Sequence, residues 1–179
     1  MSYNVNKNKN YFLLNNNVII SNRYKIVRSI DKGSYGSIYK AIDLEKNIYV
    51  AIKQLKNINN FYDNEKFNNE IDIMIQLKSL YSVKLLDKFV YDNYFYIVME
   101  LYDTNLKNYV NKKNGLTINE ICQILYQLNF VFLLMYENKI IHRDLKPENL
   151  LIKYINDDKN NIEIKLSDYG LDFDRIINI

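Results

Sequence analysis

The sequence predicts an α+β chain, with a twisted antiparallel sheet and one helix in the first hundred residues and a mainly helical part after them. Three observations predict it. "RYKIVRSI", "SIYKAID" and "NIYVAIKQL" are rich in β-branched and aromatic residues and are separated by glycine-bearing or polar turns. "FYDNEKFNNEIDIMIQLKSL" carries Phe67, Ile71, Met74, Ile75 and Leu77 mostly at helical spacing. Past Leu101, Thr117 and Glu120 form a capping-box pattern ahead of the long apolar run "ICQILYQLNFVFLLMYEN".

Taken in order, residues 1–22 read as a weakly ordered arm. Strand candidates begin at Arg23 and continue on both sides of "DKGSYG" and through "NIYVAIKQL". The helix candidate follows, and "VKLLDKFVYDNYFYIVMEL" reads as two strands around a polar turn at Asp92-Asn93. "TNLKNYVNKK" is a short helix candidate. The helix that follows the capping box is apolar on nearly every side from Phe130 to Tyr136, which predicts a buried helix. Leu150–Lys153 and Ile162–Leu166 are strand candidates, with "YINDDKNN" between them as an exposed loop. The recurrent asparagines, lysines and tyrosines read as compositional bias.

With 179 residues the chain suits one domain or part of a larger one. Its net charge of +3 is mild and no basic block is dense, so no nucleic-acid partner is expected. No stretch approaches the roughly 18 apolar residues of a membrane span, so no membrane partner is expected either. The N-terminal apolar core is too short for a secretory signal, and Ser2 stands where myristoylation needs glycine. The single cysteine, Cys122, excludes an internal disulfide and fits a reducing compartment, so a cytoplasmic or else nuclear location is expected. In its apolar helical stretch it reads as a buried core thiol.

Several residues carry chemistry. Gly33 and Gly36 lie in "DKGSYGSIYKA", where glycine permits either a plain hairpin turn or close backbone approach to phosphate oxygens. "VAIK" puts Lys53 in an apolar strand, where it either snorkels to solvent or meets an acid. Glu70 is the natural acid, with Asp63, Glu65 and Asp72 as rivals. "HRDLKPEN" holds the chain's only histidine, His142, and only proline, Pro147. It sets Asp144, Lys146 and Asn149 on one short loop. A carboxylate beside a cation suits acceptance of a hydroxyl's proton, and an amide oxygen can ligate a hard metal ion. Asp168 in "SDYG" follows a strand, ahead of Gly170.

This set, in this order, resembles the eukaryotic protein kinase family over about residues 23–171: glycine loop, "VAIK", helix glutamate, "HRDLKPEN", and "DYG" where the family usually has "DFG". The resemblance implies a bilobal protein-kinase-like fold. Residues 23–101 would form a complete N-lobe, a five-stranded antiparallel sheet plus one helix, and residues 102–179 the first part of the helical C-lobe.

It also implies ATP and Mg²⁺ as cofactors and a protein substrate with a Ser or Thr acceptor, the lysine of "DLKPEN" being the Ser/Thr-type feature. Lys53 would hold the α- and β-phosphates and pair with Glu70. Asp168 and Asn149 would ligate metal, Asp144 would accept the hydroxyl proton, and Lys146 would steady the γ-phosphate. Ile30, Ile38, Ala51 and Leu151 would sandwich adenine, with Met99 behind it. Glu100 and Tyr102 would offer backbone hydrogen bonds and Asn105 would reach the ribose. Met74, Leu85, His142 and Tyr169 would form a stacked apolar column, which gives His142 a structural role. Arg143 resembles the family's docking point for a phosphorylated activation loop.

The chain also departs from the family pattern. Asp31 replaces the first glycine, and only nine residues follow Gly170. The reading is therefore of a truncated kinase, or of one whose apolar helix is covered by an activating or covering partner chain.

Overall fold

The computed structural model describes residues 13–32, 36–57, 61–156 and 158–169. The chain forms two compact units, Met1–Glu65 with Leu85–Leu101, and Lys66–Lys84 with Tyr102–Ile179. Residues 66–84 group with the second unit. The reason is a backbone pairing to the last strand of the chain. The Val83 N–H donates to the Leu166 carbonyl at 3.1 Å, and the Leu166 N–H donates to the Tyr81 carbonyl at 3.0 Å.

The first unit holds a six-stranded sheet in the order β1-β2-β3-β4-β6-β5, every neighbouring pair antiparallel. The strands are β1 (Ile19–Ile20), β2 (Tyr24–Lys32), β3 (Gly36–Asp43), β4 (Ile48–Asn57), β5 (Leu85–Tyr91) and β6 (Tyr94–Glu100). The β5–β6 turn is made by Asp92 and Asn93 at φ 49° and 63°, the left-handed pair that a two-residue hairpin needs. Register puts Tyr39, Ile52 and Val98 in one cross-strand row and Ile38, Lys53 and Ile97 in the next. Successive side chains point to opposite faces. The Tyr39 face therefore carries a core of Leu14, Ile20, Tyr24, Ile26, Tyr39, Ala41, Val50, Ile52, Tyr96 and Val98. Tyr24, Phe89 and Tyr96 stack along it, with ring centroids 5.4 and 5.0 Å apart.

Residues 13–22 correct the expectation of a loose arm. Leu14 and Ile20 are buried in this core, and β1 adds a sixth strand to the expected five. The arm's polar composition concealed two apolar anchors. Gly36 also has a packing reason that neither alternative included. A Cβ there would lie 2.3 Å from the Gln54 carbonyl oxygen, so close approach of β3 to β4 requires glycine.

The second unit is built on α2 (Leu106–Lys113), α3 (Ile118–Glu137) and a three-stranded sheet, β7 (Thr104–Asn105), β8 (Leu150–Ile155) and β9 (Asp158–Leu166). It also contains most of α1 (Phe61–Gln76). The capping box is present: Thr117 Oγ1 accepts from the Glu120 N–H, and Glu120 accepts from the Thr117 N–H at 2.8 Å. Buried Glu120 also accepts from Tyr109 and Lys113. The Lys113 bond is the largest influence holding its carboxyl down at about 2. Gln127 satisfies the edge of β9, donating to the Ile162 carbonyl at 3.0 Å and accepting from the Ile164 N–H at 2.8 Å.

Three further expectations are corrected here. The loop expected at 154–161 is mostly strand, because Tyr154 pairs with Ile162 and Ile155 with Asp158. Helix α3 is not buried all round. Ile124, Leu128, Val131 and Met135 form one buried stripe toward β9, while Leu125, Tyr126, Leu133 and Tyr136 stay exposed, Tyr136 at 82%. Cys122 lies off that stripe and is exposed. By length and mean hydropathy, 20 residues and 1.3, α3 also reaches what a membrane span needs. Counting uninterrupted apolar residues missed this, because Asn119, Gln123, Gln127 and Asn129 break the run while the many Ile, Leu, Val and Phe residues keep the mean high. Its side-chain bonds to β9 and its buried stripe give it the packing of a helix in a globular unit.

Gly36→Ala should destabilise the first unit by roughly 1–3 kcal/mol, the usual cost of overpacking, read as a lower melting temperature. The contribution of ionised Glu120 is complete above its ordinary 4.5 and fades as pH falls toward about 2. Glu120→Gln should therefore flatten the acid side of a stability-versus-pH curve measured by chemical denaturation.

Candidate active site

In the second unit, the segment from Ile141 to Asn149 and the end of β9 are tied by a small set of hydrogen bonds. The Asn149 carbonyl accepts from the Ser167 N–H at 2.9 Å and from Ser167 Oγ at 3.0 Å. The Ser167 carbonyl lies 2.9 Å from His142 Nε2, which donates to it. Burial is the largest influence on His142 and pushes its pKa below the ordinary 6.5. The neutral ring with a proton on Nε2 is thus the form that fits. Its ring centroid lies 5.6 Å from that of Tyr169, whose hydroxyl donates to the Leu166 carbonyl at 3.0 Å.

The loop presents three polar side chains together. Lys146 Nζ lies 2.7 Å from Asp144 Oδ2, and this bond raises the lysine's pKa. Asn149 Nδ2 donates to the Asp144 carbonyl at 2.8 Å and to Asp144 Oδ2 at 3.1 Å. Pro147 opens the 3₁₀ turn that carries Asn149, where a missing N–H costs nothing. Arg143 sits at φ 56° inside a three-residue turn closed by the Asp144 N–H on the His142 carbonyl at 2.7 Å. Asp168 is also left-handed, at φ 60°. Non-glycine residues in that region are uncommon and cluster where a scaffold over-determines the backbone.

In the first unit, Ile38, Ala51, Lys53 and Met99 lie on the sheet face opposite the Tyr39 core, in two cross-strand rows on either side of the Tyr39–Ile52–Val98 row. Lys53 is only 5% exposed, so it does not snorkel to solvent. Ile30 is exposed on β2, and Glu100 ends β6 opposite Val50. Gly33 lies outside the described residues, as does Gly170.

In the second unit, Glu70 on α1 is buried, at 4%, while its rivals Glu65 and Asp72 are exposed; the side chain of Asp63 lies outside the described residues. Leu151 pairs with Asn105 across β8 and β7. Asn105 Oδ1 caps α2 by accepting from the Asn108 N–H at 2.9 Å, a structural duty that the sequence reading did not give it. Tyr102 is half-buried, with the Lys165 ammonium 5.7 Å from its ring.

A family model described as "Protein kinase domain" matches residues 24–173. The chain belongs to the protein kinase family. It is 30% identical over 164 residues to calcium-dependent protein kinase 4 of Plasmodium falciparum, covering 89% of this chain and 30% of that protein. It is 30% identical over 178 residues to the probable serine/threonine-protein kinase yakA of Dictyostelium discoideum, covering 92% and 12%. It is 31% identical over 170 residues to mitogen-activated protein kinase 3 of Oryza sativa subsp. japonica, covering 85% and 41%. The chain thus spans less than half the length of each of these kinases.

Sequence reasoning missed Ser167, whose backbone and hydroxyl join both halves of the kinase loop. The serine could have been flagged only by its place beside Asp168. Because His142 is the chain's only histidine, a single imidazole resonance will titrate in an NMR pH series. Its midpoint should lie below 6.5, and stability should fall as pH drops below that value, since the unfolded ring then binds a proton that the buried ring resists. A midpoint at or above 6.5 would contradict a buried neutral ring.

Proposed function

We propose that this chain is the catalytic part of an ATP-dependent protein serine/threonine kinase, using Mg²⁺ and transferring the γ-phosphoryl group of ATP to a protein hydroxyl. The observation that carries this reading is the loop on which Asp144, Lys146 and Asn149 meet within hydrogen-bond distance. The donor set fits the metal. No group of three His, Cys, Asp or Glu able to hold a metal occurs among the described residues. Mg²⁺ characteristically takes one or two protein oxygens and completes its shell with waters and substrate phosphates. Asp168 supplies a carboxylate. Asn149 commits its amide nitrogen to the loop, so its oxygen is the end that serves a hard cation.

The residues then divide the work. Asp144 Oδ2 accepts the proton of the attacking Ser or Thr hydroxyl, and Lys146, held 2.7 Å from it, places a positive charge for the γ-phosphate. Asp168 and Asn149 would hold Mg²⁺, which would supply charge to neutralise the phosphates. Lys53 takes the α- and β-phosphates. In the first unit, Ile30, Ile38, Ala51 and Met99 line the adenine site, and the backbone of Glu100 reads the base. Gly33 and Gly36 let the phosphates approach the main chain. The catalytic effect is positioning and charge placement, with little covalent chemistry by the protein. The name of the Dictyostelium relative supports the Ser/Thr assignment, as does Lys146 two places after Asp144.

A second reading, a nucleotide-binding module without transfer, is favoured by one observation. Asp31, at the usual first glycine of the loop, is bonded to the Lys32 N–H at 2.7 Å and adds a carboxylate to β2. Transfer of labelled γ-phosphate to a generic Ser/Thr protein substrate separates the two. The catalytic reading expects Asp144→Asn to cut the rate by about a hundredfold or more. Chelating Mg²⁺ should abolish transfer in the parent chain. Equal transfer by parent and variant would remove Asp144 from catalysis, and binding of Mg·ATP with no transfer by either would favour the second reading.

A further inference from the structure

We infer that residues 13–22, upstream of the matched kinase domain, act as a clasp that fixes strand β4 and thereby positions Lys53. The segment lies before residue 24, where the family match begins. Its backbone nonetheless closes the outer edge of β2. The Asn17 N–H donates to the Ile26 carbonyl at 2.7 Å, the Ile26 N–H donates to the Val18 carbonyl at 2.8 Å, and Ile19 and Ile20 pair with Lys25 and Tyr24. An open strand edge is a row of unmet donors and acceptors, so this closure has a direct physical benefit. Asn17, Ser21 and Asn22 are all left-handed, which lets the chain double back onto the sheet.

A side-chain relay then runs from the clasp across three strands. The Leu14 N–H donates to the Tyr39 hydroxyl at 3.2 Å. That hydroxyl donates to Gln54 Oε1 at 3.2 Å, and Gln54 Nε2 donates to the Tyr96 hydroxyl at 3.2 Å. Gln54 is buried, and both ends of its amide are satisfied by the relay. It is also the residue next to Lys53 on β4, with its side chain on the opposite face. A buried amide held at both ends resists sliding or rotation of its strand, because movement would leave buried polar atoms unmet. The relay therefore sets the backbone from which Lys53 projects. Tyr39 and Gln54 are positioning residues for Lys53, and the clasp anchors the relay through Leu14. This inference rests on the reading of Lys53 as a phosphate ligand.

The test uses the full chain and Mg·ATP as the probe, with affinity measured by calorimetry and melting temperature recorded for each variant. Tyr39→Phe removes only the relay hydroxyl. Gln54→Met removes both relay bonds at similar side-chain length. Ile26→Val loosens the same core without touching the relay, and Lys53→Met reports on the nucleotide site itself. Tyr39→Phe and Gln54→Met should each weaken binding by roughly fivefold, the worth of about one hydrogen bond. Ile26→Val should lower the melting temperature and leave affinity unchanged. The inference is overturned if Lys53→Met loses binding while the two relay variants bind like the parent. It is also overturned if Ile26→Val weakens binding as much as they do. Binding by Lys53→Met equal to that of the parent would sink the nucleotide-site reading, and the relay with it.

Discussion

The carbonyl of Asn149 is the constraint on which the second unit's chemistry depends. It accepts two hydrogen bonds from Ser167, and the Ser167 carbonyl in turn takes the His142 proton. These bonds fasten the start of β8 to the end of β9 and to the loop before the 3₁₀ turn. With that frame closed, Arg143 and Asp168 can be held at positive φ, a conformation their side chains would otherwise make costly. The burial of His142 belongs to the same arrangement: a charged ring there would lose its hydration and gain little. The Asp144, Lys146 and Asn149 side chains stand on a backbone fixed by main-chain bonds, which suits a site that works by position.

The first unit solves a different problem. Its sheet carries an apolar and aromatic core on one face and the Lys53 row on the other. Strict alternation along β3, β4 and β6 does this, so a single register fixes both faces. Gly36 belongs to the same arrangement, since its missing side chain lets β3 lie against the Gln54 carbonyl.

Much of this was legible in the sequence because the signals were local. The Asp92-Asn93 turn, the Thr117–Glu120 capping box and the strand runs each depend on a few neighbouring residues, and each appears where those residues stand. The unread features depend on distant partners. Leu14 and Ile20 are anchors only because the Tyr39 hydroxyl takes the Leu14 N–H and a core built by later strands receives both side chains. The β8–β9 strands extend through polar residues because backbone pairing continues from Leu150–Leu166 outward. The face that α3 buries follows from where β9 crosses it, which a helix apolar on most sides cannot specify, and Cys122 fell outside that face. At the candidate site, the residue types and their order were visible, whereas the Ser167 bridge and the capping duty of Asn105 required the folded backbone.

The asparagines read from the sequence as mere bias have a conformational use. Among the described residues, Asn17, Asn22, Asn47, Asn93, Asn114 and Asn156 all take the left-handed backbone that most chains give to glycine. The whole sequence has only four glycines. Asparagine tolerates that region, yet its side chain narrows the conformations open to the unfolded chain far more than a hydrogen atom does. A chain that bends on asparagine therefore has less disorder to lose at each corner when it folds.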